Sequence, residues 1–168
     1  MIKLTQFSVH RKPGNSQDTL ETSDAKTPRK EEHIVVLGYG HMYKMPIKSN
    51  DKWLNVQEVF ELLSKIQKEA IQCKEMPMNE RVSLLTSETR NVWFEAREEL
   101  LNIDKTNSEV LDTVESCLFI VCLDHELQNT TDVERSQKEM FKQMLTGSGC
   151  RYNGSNRWFD KTIQLIIR

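Results

Sequence analysis

Apolar residues in this chain fall into short blocks, and the spacing inside each block predicts its structure. In HIVVLGYGHMYKMPI, the β-branched run Ile34-Val35-Val36 leads into Gly38-Tyr39-Gly40 and a partly alternating return, which predicts a β-hairpin over His33–Ile47. A helix follows. Asn55 and Glu58 form a capping-box pair, Leu54 can staple onto Val59, and Val59, Phe60, Leu63, Ile66, Ala70 and Ile71 make one apolar face. Lys65, Lys68 and Glu69 fall opposite, and Pro77 stops the helix by about residue 75. In LLTSETRNVWFEAREELLNID the expected cap is Thr86 or Ser87, with Trp93, Ala96, Leu100 and Leu101 as the buried stripe. A shorter helix over Ser108–Ser116 should bury Val110, Leu111 and Val114.

The run Cys117–Leu123 is apolar without alternation, as expected of a strand in the middle of a sheet covered on both faces. Thr131 and Glu134 form a second capping box for a helix expected to bury Val133, Met140, Phe141, Met144 and Leu145 and to stop at Gly147. Thr162–Ile167 reads as the last strand. The order hairpin, α, α, α, β, α, β predicts an α/β or α+β sheet protein. Residues 12–32 hold two Pro, a Gly and many charges, and read as a linker or exposed loop.

Composition changes this picture little. The 168 residues are 38% apolar and 29% charged, with a net charge of −2, so no basic footprint for nucleic acid is present. No run reaches the ~18 apolar residues of a membrane span, and MIKLTQFSVHRKPG lacks a secretory h-region. Cys73, Cys117, Cys122 and Cys150 form no C-x-x-C pair, and His10, His33, His41 and His125 fall at no ligand spacing. Free or structural thiols in a reducing compartment are therefore expected, with no metal. The triplets Asn129-Thr130-Thr131 and Asn153-Gly154-Ser155 read as chance without a signal peptide.

No phosphate-binding loop, H-E-x-x-H or G-x-S-x-G pattern occurs, and the glycines of GYGHMY and GSGCRYNG read as turns. Asp124-His125-Glu126 could orient an imidazole as a base, or simply form a polar turn leaving the strand. The turn is favoured there, and His41 is expected to be solvated at the hairpin tip. Arg157, Asp160 and Lys161 surround Trp158 and Phe159, and charge pairing there can fix a loop against a strand. A catalytic Asp160 is the alternative. From the residues alone, no complete active site can be assembled.

Five segments together carry a resemblance. NRWFDKTIQ resembles the N-R-W-[FY]-D-K-[ST]-[LI]-Q stretch of the choline/carnitine acyltransferase family. FSVHRKPGNSQDTL, the hairpin HIVVLGYGHMYKMPI, LLTSETRNVWFEAREEL (with Arg90, Trp93, Ala96 and Arg97) and LDTVESCLFIVCLD are similar to family segments in the same order, across roughly residues 7–168. Thr146-Gly147-Ser148-Gly149 stands where the family usually has a glycine triplet.

The resemblance implies part of a mixed-sheet CoA-dependent acyltransferase fold, incomplete, with 1–32 an exposed segment and 33–168 a partial domain ending before the catalytic histidine. That histidine deprotonates the acceptor hydroxyl for attack on the acyl-CoA thioester, and a Ser-Thr-Ser-type motif helps hold the oxyanion. Both lie further along in the family, as do the coenzyme A contacts. The resemblance therefore assigns no catalytic, cofactor-binding or metal residue to this chain and no bound cofactor. It implies acyl-CoA as co-substrate and carnitine as acceptor, with choline the alternative, and an intracellular enzyme in mitochondrion, peroxisome or cytosol. The 168-residue chain is expected to be inactive alone and poorly stable. A non-catalytic interaction module is the remaining alternative.

Overall fold

The computed structural model describes residues 8–14, 17–23, 32–73, 75–124 and 133–167. The stretch expected to be a linker contains structure: β1 (Ser8–Lys12) and β2 (Thr19–Ser23) pair antiparallel, and Pro13 between them is buried. The low apolar content hid this because a two-stranded ribbon is held by its backbone ladder. The predicted hairpin is present as β3 (His33–Gly38) and β4 (His41–Pro46). Tyr39 and Gly40 turn it with φ of 57° and 83°, the two positive angles that a two-residue turn of this hand needs.

Two short strands, β5 (Lys48–Ser49) and β6 (Lys52–Trp53), then lead to α1 (Val56–Gln72). The capping box of α1 is formed: Glu58 N donates to Asn55 Oδ1 at 3.0 Å and Asn55 N donates to Glu58 Oε2 at 2.7 Å. Its buried face is narrower than expected. Val59, Leu62, Leu63 and Ile66 pack on the sheet and Ala70 is fully buried, while Phe60 and Ile71 are exposed. Each of those two sits one position past a stripe residue, and 100° of rotation carries it off the face.

Two 3-10 turns, Met78–Glu80 and Val82–Ser87, precede α2 (Arg90–Ile103). Neither Thr86 nor Ser87 caps α2, contrary to expectation, and Thr89 at the cap makes no side-chain bond. Both hydroxyls are already used, donating to Ser83 O and Leu84 O. The expected stripe holds: Trp93 is buried, and Ala96, Leu100 and Leu101 pack on the same core. Helix α3 (Lys105–Ser116) starts three residues early because Asp104 caps it, accepting from Thr106 N at 2.7 Å. Leu111 and Val114 are buried as expected, but Val110 is exposed.

The apolar run supplies β7 (Ile120–Leu123), with Cys117 and Leu118 in a bend before it. Helix α4 (Val133–Thr146) and β8 (Gln164–Ile167) follow. The sheet order is β4-β3-β7-β8, with β3 and β4 antiparallel and β3, β7 and β8 mutually parallel. This is the expected mixed sheet of an α/β protein, and all four residues of the interior strand β7 are buried. One face carries Val35, Leu37, Ile120 and Cys122 against Trp93, Leu111, Val114 and Trp158. The other carries Ile34, Val36, Met45, Val121 and Leu123 against α1.

Helix α4 departs most from expectation. Met140, Phe141, Met144 and Leu145 face outward, and Gln143 is buried in their place. The stripe was correctly periodic, but a buried hydrogen-bond network claims the polar side of the helix instead. The side chain of Val133 and the proposed cap Thr131 lie outside the described residues.

Candidate functional site

The segment most like an acyltransferase signature, Asn156–Lys161, joins the end of α4 to β8, and its setting is best built residue by residue. Gly147 stops α4 as expected, with φ +61° and its N–H on Gln143 O at 2.8 Å. A Cβ there would lie 2.3 Å from Asn153 C and O, so only glycine fits beneath the returning loop. The loop then enters a 3-10 turn, Asn153–Asn156, whose four residues are all buried. Asn153 is therefore inaccessible as a glycosylation acceptor, whereas Asn129 lies outside the described residues.

From here almost every residue is fixed to a different element. Ser83 Oγ donates to Ser155 O at 2.7 Å, and Asn156 Nδ2 donates to Leu123 O, at the end of β7, at 2.8 Å. Arg157 forms a fork with Asp124: Nη1 donates to Oδ1 at 2.8 Å and Nη2 to Oδ2 at 2.7 Å. Nη2 also donates to Gln143 O at 2.8 Å, and Gln143 Nε2 donates to Asp124 Oδ2 at 3.1 Å. The two charged side chains are 2% and 0% exposed. Burial alone would pull the Arg157 guanidinium down, but the hydrogen bonds and charge of Asp124 outweigh it and hold its pKa above the usual value. The neighbouring Cys122 thiol is pushed up to about 12 by burial, with the Arg157 charge pulling the other way. It is inert at neutral pH.

Trp158 N donates to Gln164 Oε1 at 3.0 Å, and its ring meets Trp93 edge-on, centroids 5.9 Å apart at 86°. Phe159 N donates to Thr86 Oγ1 at 3.1 Å. Asp160 receives Arg90 Nη1 on Oδ1 at 2.5 Å and Trp93 Nε1 on Oδ2 at 2.8 Å. Arg90 Nε donates in turn to Asp18 Oδ1 at 2.9 Å, and Asp18 also pairs with Arg11. Burial lowers the Arg90 pKa, yet Asp160 and Asp18 raise it more. Asp18 is held below the usual carboxylate range: burial pushes it up, and the two arginines pull it down further. Lys161 Nζ donates to Glu115 O at 2.7 Å and Cys117 O at 2.6 Å, a cation on the carbonyl end of α3. The Glu115 carboxylate is held by Arg97 in a second fork, at 2.6 and 2.8 Å.

A buried ion pair adds little net stability over apolar residues of the same shape, but it imposes geometry. This array does the latter. It fixes the loop to the ends of α3, β7 and α4 and to the start of α2, as expected of Arg157, Asp160 and Lys161. Each oxygen of Asp160 thus holds one partner, Arg90 on Oδ1 and Trp93 on Oδ2, which ties the loop to α2. Asp124 is turned inward to Arg157, and His125 and Glu126, the rest of the proposed base cluster, lie outside the described residues. His41 opens β4 opposite Gly38, half-buried, its ring 6.5 Å from that of Tyr43. His33 is buried, with Nε2 on Thr113 O at 2.9 Å.

The partners Gln143, Thr86, Ser83 and Glu115 were missed from the sequence. One signal was available for Asp124: a carboxylate immediately after a fully buried strand needs a cation. Among the described residues, no group of three or more His, Cys, Asp or Glu is placed to hold a metal ion. The described cysteines Cys73, Cys117, Cys122 and Cys150 are free thiols. A groove of about 590 Å³ runs along α1, lined by Gln57, Phe60, Lys65, Lys68 and Glu69 among others, and none of the loop residues lines it.

The Choline/Carnitine o-acyltransferase family model matches residues 4–168. Choline O-acetyltransferase of Gallus gallus is 36% identical over 161 residues, covering 96% of this chain and 24% of the relative. Carnitine O-acetyltransferase of Mus musculus is 33% identical over 162 residues, and that of Homo sapiens 35% over 163, each match covering 96% of this chain and 25% of the relative. The chain thus spans about a quarter of the length of the curated relatives it matches. The order of hairpin, helices, buried strand and charged loop is the order of the five resembling segments. The match extends through all of them, and the chain belongs to the choline/carnitine O-acyltransferase family.

Proposed function

We propose that this chain is the scaffold portion of an enzyme that moves an acetyl or short acyl group between acyl-CoA and the hydroxyl of carnitine. The single observation carrying this reading is the colinear match over residues 4–168 to a family of O-acyltransferases. The role assigned to the described residues is positional. Arg157, Asp160 and Lys161 set the start and register of β8, and the residues that bind and activate substrate belong to other segments of the polypeptide. No residue of this chain is given a catalytic, coenzyme-binding or metal role. The chain alone is proposed to be inactive. An intracellular site, in mitochondrion, peroxisome or cytosol, is part of the same proposal.

Choline is the second reading for the acceptor: identity is 36% to the Gallus gallus choline enzyme, against 33% and 35% to the Mus musculus and Homo sapiens carnitine enzymes. The test is kinetic. The protein expressed from its complete coding sequence is given acetyl-CoA with either alcohol, and release of the coenzyme thiol is followed. A kcat/KM for carnitine at least tenfold above that for choline, about 1.4 kcal/mol of discrimination, supports the first reading. The reverse ratio establishes choline, and no thiol release with either alcohol, from acetyl-CoA or from a short-chain acyl-CoA such as butyryl-CoA, refutes the proposed reading.

A further inference from the structure

Helix α4 is built inside out. Among residues 137–146 its one buried side chain is the polar Gln143. Met140, Phe141, Met144 and Leu145 are 48%, 62%, 53% and 60% exposed. Positions i, i+1, i+4 and i+5 form one stripe on a helix, the pattern of a face meant to be covered. A helix joining two parallel neighbouring strands normally lays such a stripe on its own sheet, but here the helix is locked against that rotation. Gln143 gives its carbonyl to Arg157 Nη2 and its side-chain N–H to Asp124. Turning the stripe inward would strip both bonds from a fully buried ion pair.

We propose that the Met140–Phe141–Met144–Leu145 stripe is a docking surface for an apolar segment of the same acyltransferase polypeptide, from the part of the family's length that residues 1–168 do not span. Two observations select this occupant. The matched relatives are about four times as long as the chain, so most of the polypeptide of such a protein is available to cover it. A second copy of this chain fits less well, because four side chains on one helix fall far short of the ~1,200 Å² buried in a stable interface. The proposal rests on family membership and is independent of which alcohol is acetylated.

The test is methionine footprinting with hydrogen peroxide, read by mass spectrometry at Met140 and Met144. In the protein expressed from the complete coding sequence, Met140 and Met144 should oxidise nearly as slowly as Met45, which is 1% exposed, although the fold of residues 1–168 leaves them 48% and 53% exposed. Phe141→Asp supplies the second readout: it should lower the Tm of that protein by several degrees and speed oxidation of Met140 and Met144 several-fold while leaving Met45 slow. Oxidation of Met140 and Met144 several-fold faster than Met45 in the unsubstituted protein overturns the proposal. So does protection that appears only as the protein dimerises, or a coding sequence ending at Arg168. Acetyl transfer by a protein with unprotected Met140 and Met144 would sink this inference and leave the proposed function standing.

Discussion

Replacing Asp124 with Ala should be among the most damaging single changes available in this chain. The Asp124 side chain is fully buried and takes three N–H groups, two from Arg157 and one from Gln143. Its removal leaves the 2%-exposed guanidinium of Arg157 with no carboxylate, facing the carbonyls of Gln143 and Asn156 and the Cys122 thiol. Removing one partner of a buried pair costs about 3–5 kcal/mol, most of it the uncompensated charge left behind. A domain's whole stability is about 5–15 kcal/mol. In urea unfolding of the protein expressed from its complete coding sequence, the midpoint should fall by this cost divided by the measured m value, which in a chain that long exceeds the roughly 1–3 kcal/mol/M of small proteins. The double variant Asp124→Leu, Arg157→Met removes the charge together with its partner and should recover most of the loss. If Asp124→Ala costs less than about 1 kcal/mol, or the double variant is worse than the single, the fork is not what fixes the loop.

Two further outcomes follow from the same geometry. Gly147→Ala should destabilise by more than the roughly 1 kcal/mol of an ordinary left-handed site, because the new Cβ would stand 2.3 Å from the Asn153 backbone; thermal melting reads this. The pKa of Asp18 is lowered in the folded state from 3.8, so its contribution is fully present above that pH and is lost as pH falls through the lower folded value. The slope of stability against pH below about 4 should therefore flatten in Asp18→Asn, as measured by urea midpoints at a series of acid pH values.

Much of the fold could be read from the chain because its signals are local. The His33–Ile47 hairpin, the Asn55–Glu58 box, the Trp93 stripe and the Gly147 stop each depend on neighbours within a few residues. Errors came where distant groups compete. Thr86 or Ser87 is the expected cap of α2, but the Thr86 hydroxyl bonds Ser83 O and Phe159 N, the latter 73 residues away in sequence, and the Ser87 hydroxyl bonds Leu84 O. The stripe of α4 was expected inward, but Gln143 is drawn in by an ion pair formed between Asp124 and Arg157 across 33 residues. The charged loop was recognised as a pairing site, while its partners Glu115 O, Cys117 O and Trp93 Nε1 carried no sequence mark. A backbone carbonyl or an indole N–H becomes a ligand only once folding has placed it.

On the proposed function, these residues hold and aim an acyltransferase whose reacting groups lie in other segments. The most direct test compares coenzyme thiol release from acetyl-CoA, with carnitine or choline, by the 168-residue chain and by the protein expressed from its complete coding sequence. The account predicts turnover by the longer protein and none above the uncatalysed rate by the chain alone. Turnover by the 168-residue chain would place a working base within it and contradict the account.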